Sequence, residues 1–310
     1  MENLRNEVVK LLEMELGEGY QILPEDKRKN NEYILHGICI HKEGESVSPV
    51  IYLEEFIPPY VKGEMDPEDI AGAFLKKYHQ EIIPQDIAAD LKDFGMMKDK
   101  VRIKMVNHAA NLRELGNSPH RKFLDLAITY YLEITIAGQS ASIAITNKMM
   151  ESWGVTEDDL FRLGMEKLSA KDAGCVTGIF ELLRQAMQGE QDELAEKAIA
   201  ELEERQDGPV MYVASNRKRF FGANCLLNIP LLQELAEGRG CSLIIYPSSV
   251  HEIILLPQKD GRENCLDTGD VQEINISELP RNEWLSNSIY RYDREKKEVS
   301  VYKEGAPLLW

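Results

Sequence analysis

The sequence predicts an α+β fold, with a small N-terminal unit of helix, β-hairpin and helices followed by a larger mixed α+β domain. Three observations predict it. The chain opens on an apolar stripe of helical period, β-branched and aromatic runs broken by polar turns follow it, and the later strand-like runs are joined by hairpin turns. At 310 residues and 43% hydrophobic composition, the chain is long enough for two domains or one large one, with no need of disulfides or metal to hold a core.

Leu4, Val8, Leu11, Leu12 and Leu16 recur at spacings of three and four, which predicts an amphipathic first helix. Acidic residues run through this start, and it lacks the basic, then apolar, pattern of a secretory leader. YILHGICIHKEG and SVSPVIYLEEF read as two strands of a hairpin, the second stopped by Pro58-Pro59. Asp66 as N-cap and Pro67 at the first helical position start a helix whose apolar face is Ile70, Phe74, Leu75 and Tyr78. A boundary is expected at Asp93-Phe94-Gly95, dividing the chain into 1–95 and 96–310.

The second part opens on the alternating strand VRIKMV and a helical turn from Asn107 to Leu115. FLDLAITYYLEITIAG and SASIAITN then form strands joined at Gly138-Gln139-Ser140. Thr156, followed by Glu157, Asp158 and Asp159, predicts a capped helix with an acidic first turn. Residues 176–205 read as a helical, glutamate-rich arm. A strand at Pro209–Ala214 follows, then a helix from Asn224 to Glu237, and two strands, CSLIIYP and SSVHEIILLP, around a tight Ser248-Ser249 turn. SIAITNKMMESW and VMYVASNRKRFF share a strand ending in Thr or Ser followed by Asn and a cation, the ordinary chemistry of strand ends and caps.

Charge limits the partners. Against 53 Asp+Glu stand 36 Lys+Arg, a net charge of −17, which disfavours nucleic acid and anionic membranes as general partners and leaves a protein or a small molecule. No run approaches the length of a membrane span. Cys39, Cys175, Cys225, Cys241 and Cys265 are odd in number and widely spread, as expected of reduced thiols in a cytoplasm.

Four groups of residues carry chemistry. Ser248, Ser249, His251 and Glu252 place two hydroxyls, an imidazole and a carboxylate within five residues, the components of acyl transfer with His251 as general base. Neighbours in a strand face opposite ways, so a local triad is geometrically poor, and the plainer reading gives the serines to the turn. Arg217, Lys218 and Arg219 follow a strand and precede Phe220-Phe221-Gly222, a setting for a phosphate or carboxylate, or for neutralising an acidic face of the chain itself. Asn107 and Asn111, one helical turn apart, are candidate polar residues of a cleft or members of a solvent face. His36, Cys39 and His41 suggest a metal, but strand periodicity leaves only Cys39 and His41 on one side, and there is no CxxC pair or HExxH helix. No metal or cofactor is expected, and no glycine-rich phosphate loop is present. The carboxylate pairs Glu54-Glu55 and Asp158-Asp159 do not form acid/base pairs, since strand neighbours diverge and the second pair suits a helix start.

The segments LHGICI, PVIYLEEF, VNHAANLRELGNSPHRKFLDLAITY, SIAITNKMMESWGVTEDDLF, VMYVASN, YPSSVHEIILLP and LSNSIYRYDREKKEV together resemble a bacterial domain-of-unknown-function family, number 5688, end to end. That resemblance implies a two-part α+β chain in a bacterial cytoplasm and brings no activity or catalytic residue with it. The expectation is a non-catalytic binding or regulatory protein, with a hydrolase-like enzyme based on His251 as the alternative and a transient nucleic-acid contact through Arg217–Arg219 as a third.

Overall fold

The computed structural model describes residues 1–44, 48–80, 90–136, 139–169, 174–187, 193–205, 210–258 and 266–308. It is an α+β protein with three antiparallel sheets among those residues. Its contacts divide it into two compact units, Met1–Lys100 with Glu133–Ile143, and Val101–Leu132 with Ala144–Trp310.

In the first unit the helix Glu2–Leu16 buries Leu4, Val8 and Leu12 of the expected stripe. The helix Pro67–Gln80 adds Ile70 and Phe74, and both pack on Ile22, Ile38, Ile40 and Ile51. Asp66 caps the second helix as its sequence predicts: Asp69 N–H donates to Asp66 Oδ1 at 2.9 Å and Asp66 N–H to Asp69 Oδ2 at 3.1 Å. The sheet holds the expected hairpin, though with a short second strand, and adds a strand before it. Strand β1 (Tyr20–Arg28) pairs along its whole length with β2 (Ile34–Lys42), and only the three residues of β3 (Val50–Tyr52) pair with the other edge of β2. Pro58 and Pro59 do not stop a strand; they lie in the short helix Ile57–Val61, where early prolines forgo no intrahelical bond.

The second unit begins with β4 (Val101–Asn107), which pairs with β6 (Leu126–Ile136); β5 (His120–Phe123) lies on the other side of β6. FLDLAITY is therefore not one strand. Phe123 pairs with Leu126 across a two-residue turn, Leu124-Asp125, with Leu124 at φ 56°. A branched side chain in the left-handed region is strained, at a position where hairpins usually hold glycine. β6 also pairs with β7 (Gln139–Ala144).

The second sheet of this unit has the order β13-β12-β10-β11-β9-β8, built from β8 (Cys175–Gly178), β9 (Tyr212–Ser215), β10 (Leu243–Ser249), β11 (Glu252–Pro257), β12 (Ile289–Asp293) and β13 (Glu298–Lys303). The 176–205 arm is helical only in part: its start belongs to β8, which pairs with β9, before the helices Ile179–Ala186 and Glu193–Arg205. The expected helix at Asn224 is a 3-10 segment, Gly222–Leu227, followed by the helix Ile229–Arg239 capped by Asn228. The Thr156 capping box is present, with Asp159 N–H donating to Thr156 Oγ1 at 3.3 Å and Thr156 N–H to Asp159 Oδ2 at 3.0 Å. Donation to its carboxylate from the Thr156 hydroxyl, at 2.7 Å, and then from the Thr156 N–H holds the Asp159 carboxyl below its usual range.

Cys39, Cys175, Cys225 and Cys241 are free thiols. Burial pushes the Cys225 thiol up to about 12, so it has almost no thiolate at neutral pH. Iodoacetamide at mildly alkaline pH is expected to leave Cys225 unmodified in the folded protein and to modify it after denaturation, by peptide mass mapping; native-state labelling would contradict its burial. The same shift predicts a pH dependence. The folded thiol holds its proton where the unfolded one has lost it, so this contribution to stability is complete below pH 9.0 and is lost as pH rises to about 12.

Candidate functional site

The turn between β10 and β11 is not Ser248-Ser249. Both serines belong to β10, Ser249 pairs with Glu252, and the two-residue turn is Val250-His251. The register shifts between Tyr246 and Ser249, where Pro247, which has no N–H for the ladder, is accommodated. Ser249 is buried, and its Oγ accepts the His251 N–H at 3.0 Å, a local turn bond that occupies the hydroxyl structurally. Glu252 faces Ser249 in register. The Ser248 side chain lies outside the described residues.

A second loop meets this turn. After β9, Asn216 organises the chain around its side chain: Oδ1 accepts from Lys218 N–H at 3.0 Å and Phe220 N–H at 3.3 Å, and Nδ2 donates to Phe220 O at 2.7 Å. The backbone N–H of Arg219 donates to Asn216 O at 3.0 Å. Two non-glycine residues here take left-handed backbone, Arg219 at φ 50° and Phe221 at φ 54°, a strain that persists only where surrounding bonds over-determine it. Those bonds run to the His251 turn. Phe221 N–H donates to His251 Nδ1 at 3.2 Å, Ser215 Oγ donates to His251 O at 2.7 Å, and Ala223 N–H donates to Val250 O at 3.2 Å. Val250 N–H donates in turn to Glu283 O at 2.9 Å.

The result is an aromatic stack. The Phe221 and His251 rings are 5.8 Å apart and within 5° of parallel, and Phe220 lies 4.0 Å from Phe221 and 5.7 Å from His251. Tyr131 meets Phe221 edge-on, and Lys104 Nζ stands 5.0 Å from its ring centre. Arg217, Lys218, Arg219 and Phe220 form an exposed run in this loop. Arg219 Nη2 donates to Gln185 Oε1 at 3.3 Å. Two motifs far apart in the sequence, RKRFF and SSVHE, thus meet through Phe221 and His251. Because His251 Nδ1 accepts from an amide, the neutral ring carries its proton on Nε2, which lies 3.9 Å from Glu283 Oε1.

The other candidates lie elsewhere. Asn107 and Asn111 are both buried: Asn107 Nδ2 donates to Leu285 O at 3.1 Å, its Oδ1 accepts from Ala110 N–H at 3.0 Å, and Asn111 Nδ2 donates to Asn107 O at 2.8 Å. In the first unit, Glu54 Oε1 accepts the His36 N–H at 2.6 Å and faces His36 Nδ1 at 3.1 Å, while His41 Nδ1 meets Ser48 Oγ at 2.6 Å. Among the described residues no group of three or more His, Cys, Asp or Glu is arranged to hold a metal ion. Glu55 pairs with Lys77, and Asp158 with Arg121.

One constellation escapes sequence reading. The strained Leu124-Asp125 turn delivers the Asp125 carboxyl to three hydroxyls: Ser286 at 2.6 Å and Ser288 at 3.3 Å on Oδ2, and Tyr290 at 2.5 Å on Oδ1. Ser286, Ser288 and Tyr290 are buried, and burial followed by Asp125 drives the Tyr290 phenol well above its ordinary range. Asn275 and Asn287 extend the network, through Asn275 Nδ2 to Asn287 Oδ1 at 2.9 Å and Asn287 Nδ2 to Ala306 O at 3.0 Å. These bonds satisfy one another and read as a structural clasp.

These features define an α+β protein of two compact units whose second unit displays a cationic, aromatic-backed loop. The chain belongs to a family of unknown function, DUF5688, whose model matches residues 1–294. No curated protein and no solved structure matches it. No helix among the described residues is long and apolar enough to cross a membrane.

Proposed function

We propose that the chain is a non-catalytic binding or regulatory protein of a bacterial cytoplasm, and that its second unit presents the 216–222 loop and the His251 turn to an anionic partner. One observation carries the reading: three consecutive exposed cations sit on a loop that its own side chains and the His251 turn hold in a strained shape, in a chain with net charge −17. Cationic side chains on an acidic protein give anions a local attraction against the repulsion of the whole. Arginine and lysine side chains on a fixed backbone lose less entropy on binding than they would on a free loop. The His251 geometry agrees with a supporting role. Its Nδ1 is occupied by an amide donor, so it takes up a substrate proton only by giving up that bond. Free thiols at Cys39, Cys175, Cys225 and Cys241 fit a reducing compartment.

A titration with pyrophosphate followed by amide NMR is expected to move resonances of 216–221 and the His251 ring saturably. The triple change Arg217→Gln, Lys218→Gln and Arg219→Gln should weaken binding by about tenfold or more, at roughly 1.5–3 kcal/mol for each charge-assisted bond lost. Resonances that stay fixed would overturn the reading. The hydrolase alternative draws on Glu283, whose carboxylate stands 3.9 Å from His251 Nε2 in the manner of an orienting acid. Ester or phosphoester hydrolysis that the folded His251→Gln variant loses would establish that alternative instead.

A further inference from the structure

Resting on the anion-binding reading above, we propose that the anion is a nucleoside phosphate, its phosphates held by Arg217, Lys218 and Arg219 and its base stacked on Phe220. The cations alone would accept any phosphate; the ring beside them narrows the class. Phe220 is the residue immediately after the triplet and is 40% exposed. Its ring is backed from within by Phe221 at 4.0 Å and by His251 at 5.7 Å. Phe221 is fixed in turn by the hydrogen bond from its N–H to His251 Nδ1 and by the edge of Tyr131 at 5.2 Å. The backbone pays strain at Arg219 and Phe221 to hold two consecutive aromatic rings on the same side, toward His251. An exposed phenylalanine set on such a platform presents a flat, rigid face, the surface on which a nucleobase stacks without sequence-like readout. Guanidinium and ammonium groups within three residues of it supply charge-assisted bonds to phosphate oxygens.

Two other anionic partners share this chemistry less well. A bilayer would take a protruding apolar wedge, whereas Phe220 is packed back against its neighbours, and a chain of net charge −17 is repelled by an anionic leaflet. Polymeric nucleic acid meets the same repulsion over a longer track.

The test is isothermal titration of the full chain with ADP, pyrophosphate and adenosine, repeated with Phe220→Ala and Phe220→Leu. Since the residue is exposed, both variants keep the fold, and the leucine keeps apolar bulk without a ring. ADP is expected to bind more tightly than either pyrophosphate or adenosine. Both variants should weaken ADP by about 5- to 100-fold, the usual worth of one stacked base, and leave pyrophosphate unchanged. If pyrophosphate binds as well as ADP and neither variant matters, the nucleoside assignment fails while the anion reading stands. If no ligand binds, both fail. Co-sedimentation with phosphatidylcholine–phosphatidylserine vesicles that Phe220→Ala abolishes, without ADP binding, would give the loop to a membrane surface and overturn the proposal.

Discussion

Replacing Asp125 by alanine is expected to destabilise the second unit by about 3–5 kcal/mol, because three hydroxyls lose their shared acceptor at once. Ser286, Ser288 and Tyr290 all donate to this one carboxyl, and Tyr290 is fully buried. A buried hydroxyl with no acceptor costs about 1–3 kcal/mol, and the tyrosine cannot turn out to water to recover it. The serines recover part of their loss: Ser286 Oγ still accepts Ser288 N–H at 2.9 Å, and Ser288 Oγ still accepts Gly305 N–H at 3.1 Å. Those acceptor bonds hold the hydroxyls in place but leave their protons without a partner. At about 2–4 °C per kcal/mol for a unit of this size, the unfolding midpoint should fall by roughly 10 °C. Asp125→Asn keeps an acceptor for Tyr290 and should cost about 1–2 kcal/mol. A double-mutant cycle with Tyr290→Phe should return a coupling of about 1–2 kcal/mol, since the phenol and carboxyl are in direct contact. An unfolding midpoint of Asp125→Ala equal to that of the unaltered chain would show that the clasp contributes nothing.

What was legible in the sequence is what local chemistry decides. Asp66 with Pro67, and Thr156 with Asp159, announce helix starts because the capping partner is three residues away. The misses have physical reasons. Strand β1 contains Pro24 and a charged second half and does not look like a strand, yet it lies at the edge of its sheet, where a missing N–H costs little. The β5–β6 turn is hidden because leucine is a poor turn former; only the tertiary structure reveals why the strain at Leu124 is borne, since it carries Asp125 to Ser286, 161 residues away. Pro247-Ser248-Ser249 has turn composition but serves a register shift. The site was half legible. RKRFF and SSVHE were each visible, and the Asn216 side-chain bonds that shape the loop are local; that Phe221 and His251 meet depends on the pairing of β9 with β11. The repeated Thr/Ser-Asn-cation pattern has two different uses, since Thr146 caps the helix Asn147–Trp153 whereas Asn216 closes a loop, which is the ordinary behaviour of short polar side chains.

Gly222→Ala is expected to damage both the stability of this corner and its ligand surface. Gly222 does not need glycine for a left-handed backbone; it needs the space. An added Cβ would fall 2.5 Å from His251 O and 2.8 Å from Asn216 N, and would overlap Ser215 Oγ. Two of those three atoms are backbone, so no rotamer change relieves them, and overpacking of this kind costs about 1–3 kcal/mol. Relief requires Gly222 to move away from Asn216 within its own loop and from His251 O, and the second movement separates the loop from the 250–251 turn. That separation breaks Ser215 Oγ to His251 O and Phe221 N–H to His251 Nδ1, adding roughly 1 kcal/mol for each bond lost. The total expected loss is therefore about 3–5 kcal/mol. The ring nitrogens of His251 report the second effect directly: with its amide donor gone, Nδ1 is free to exchange tautomers, and both ring nitrogen resonances should move toward averaged values. Removing the hydroxyl overlap with Ser215→Gly in the same chain should restore less than half of the stability, since the clash with two backbone atoms remains. Full restoration would mean that Ser215 Oγ was the only obstacle. An unchanged melting temperature together with unchanged His251 resonances would mean that the loop and the turn, and with them RKRFF and SSVHE, do not meet in solution.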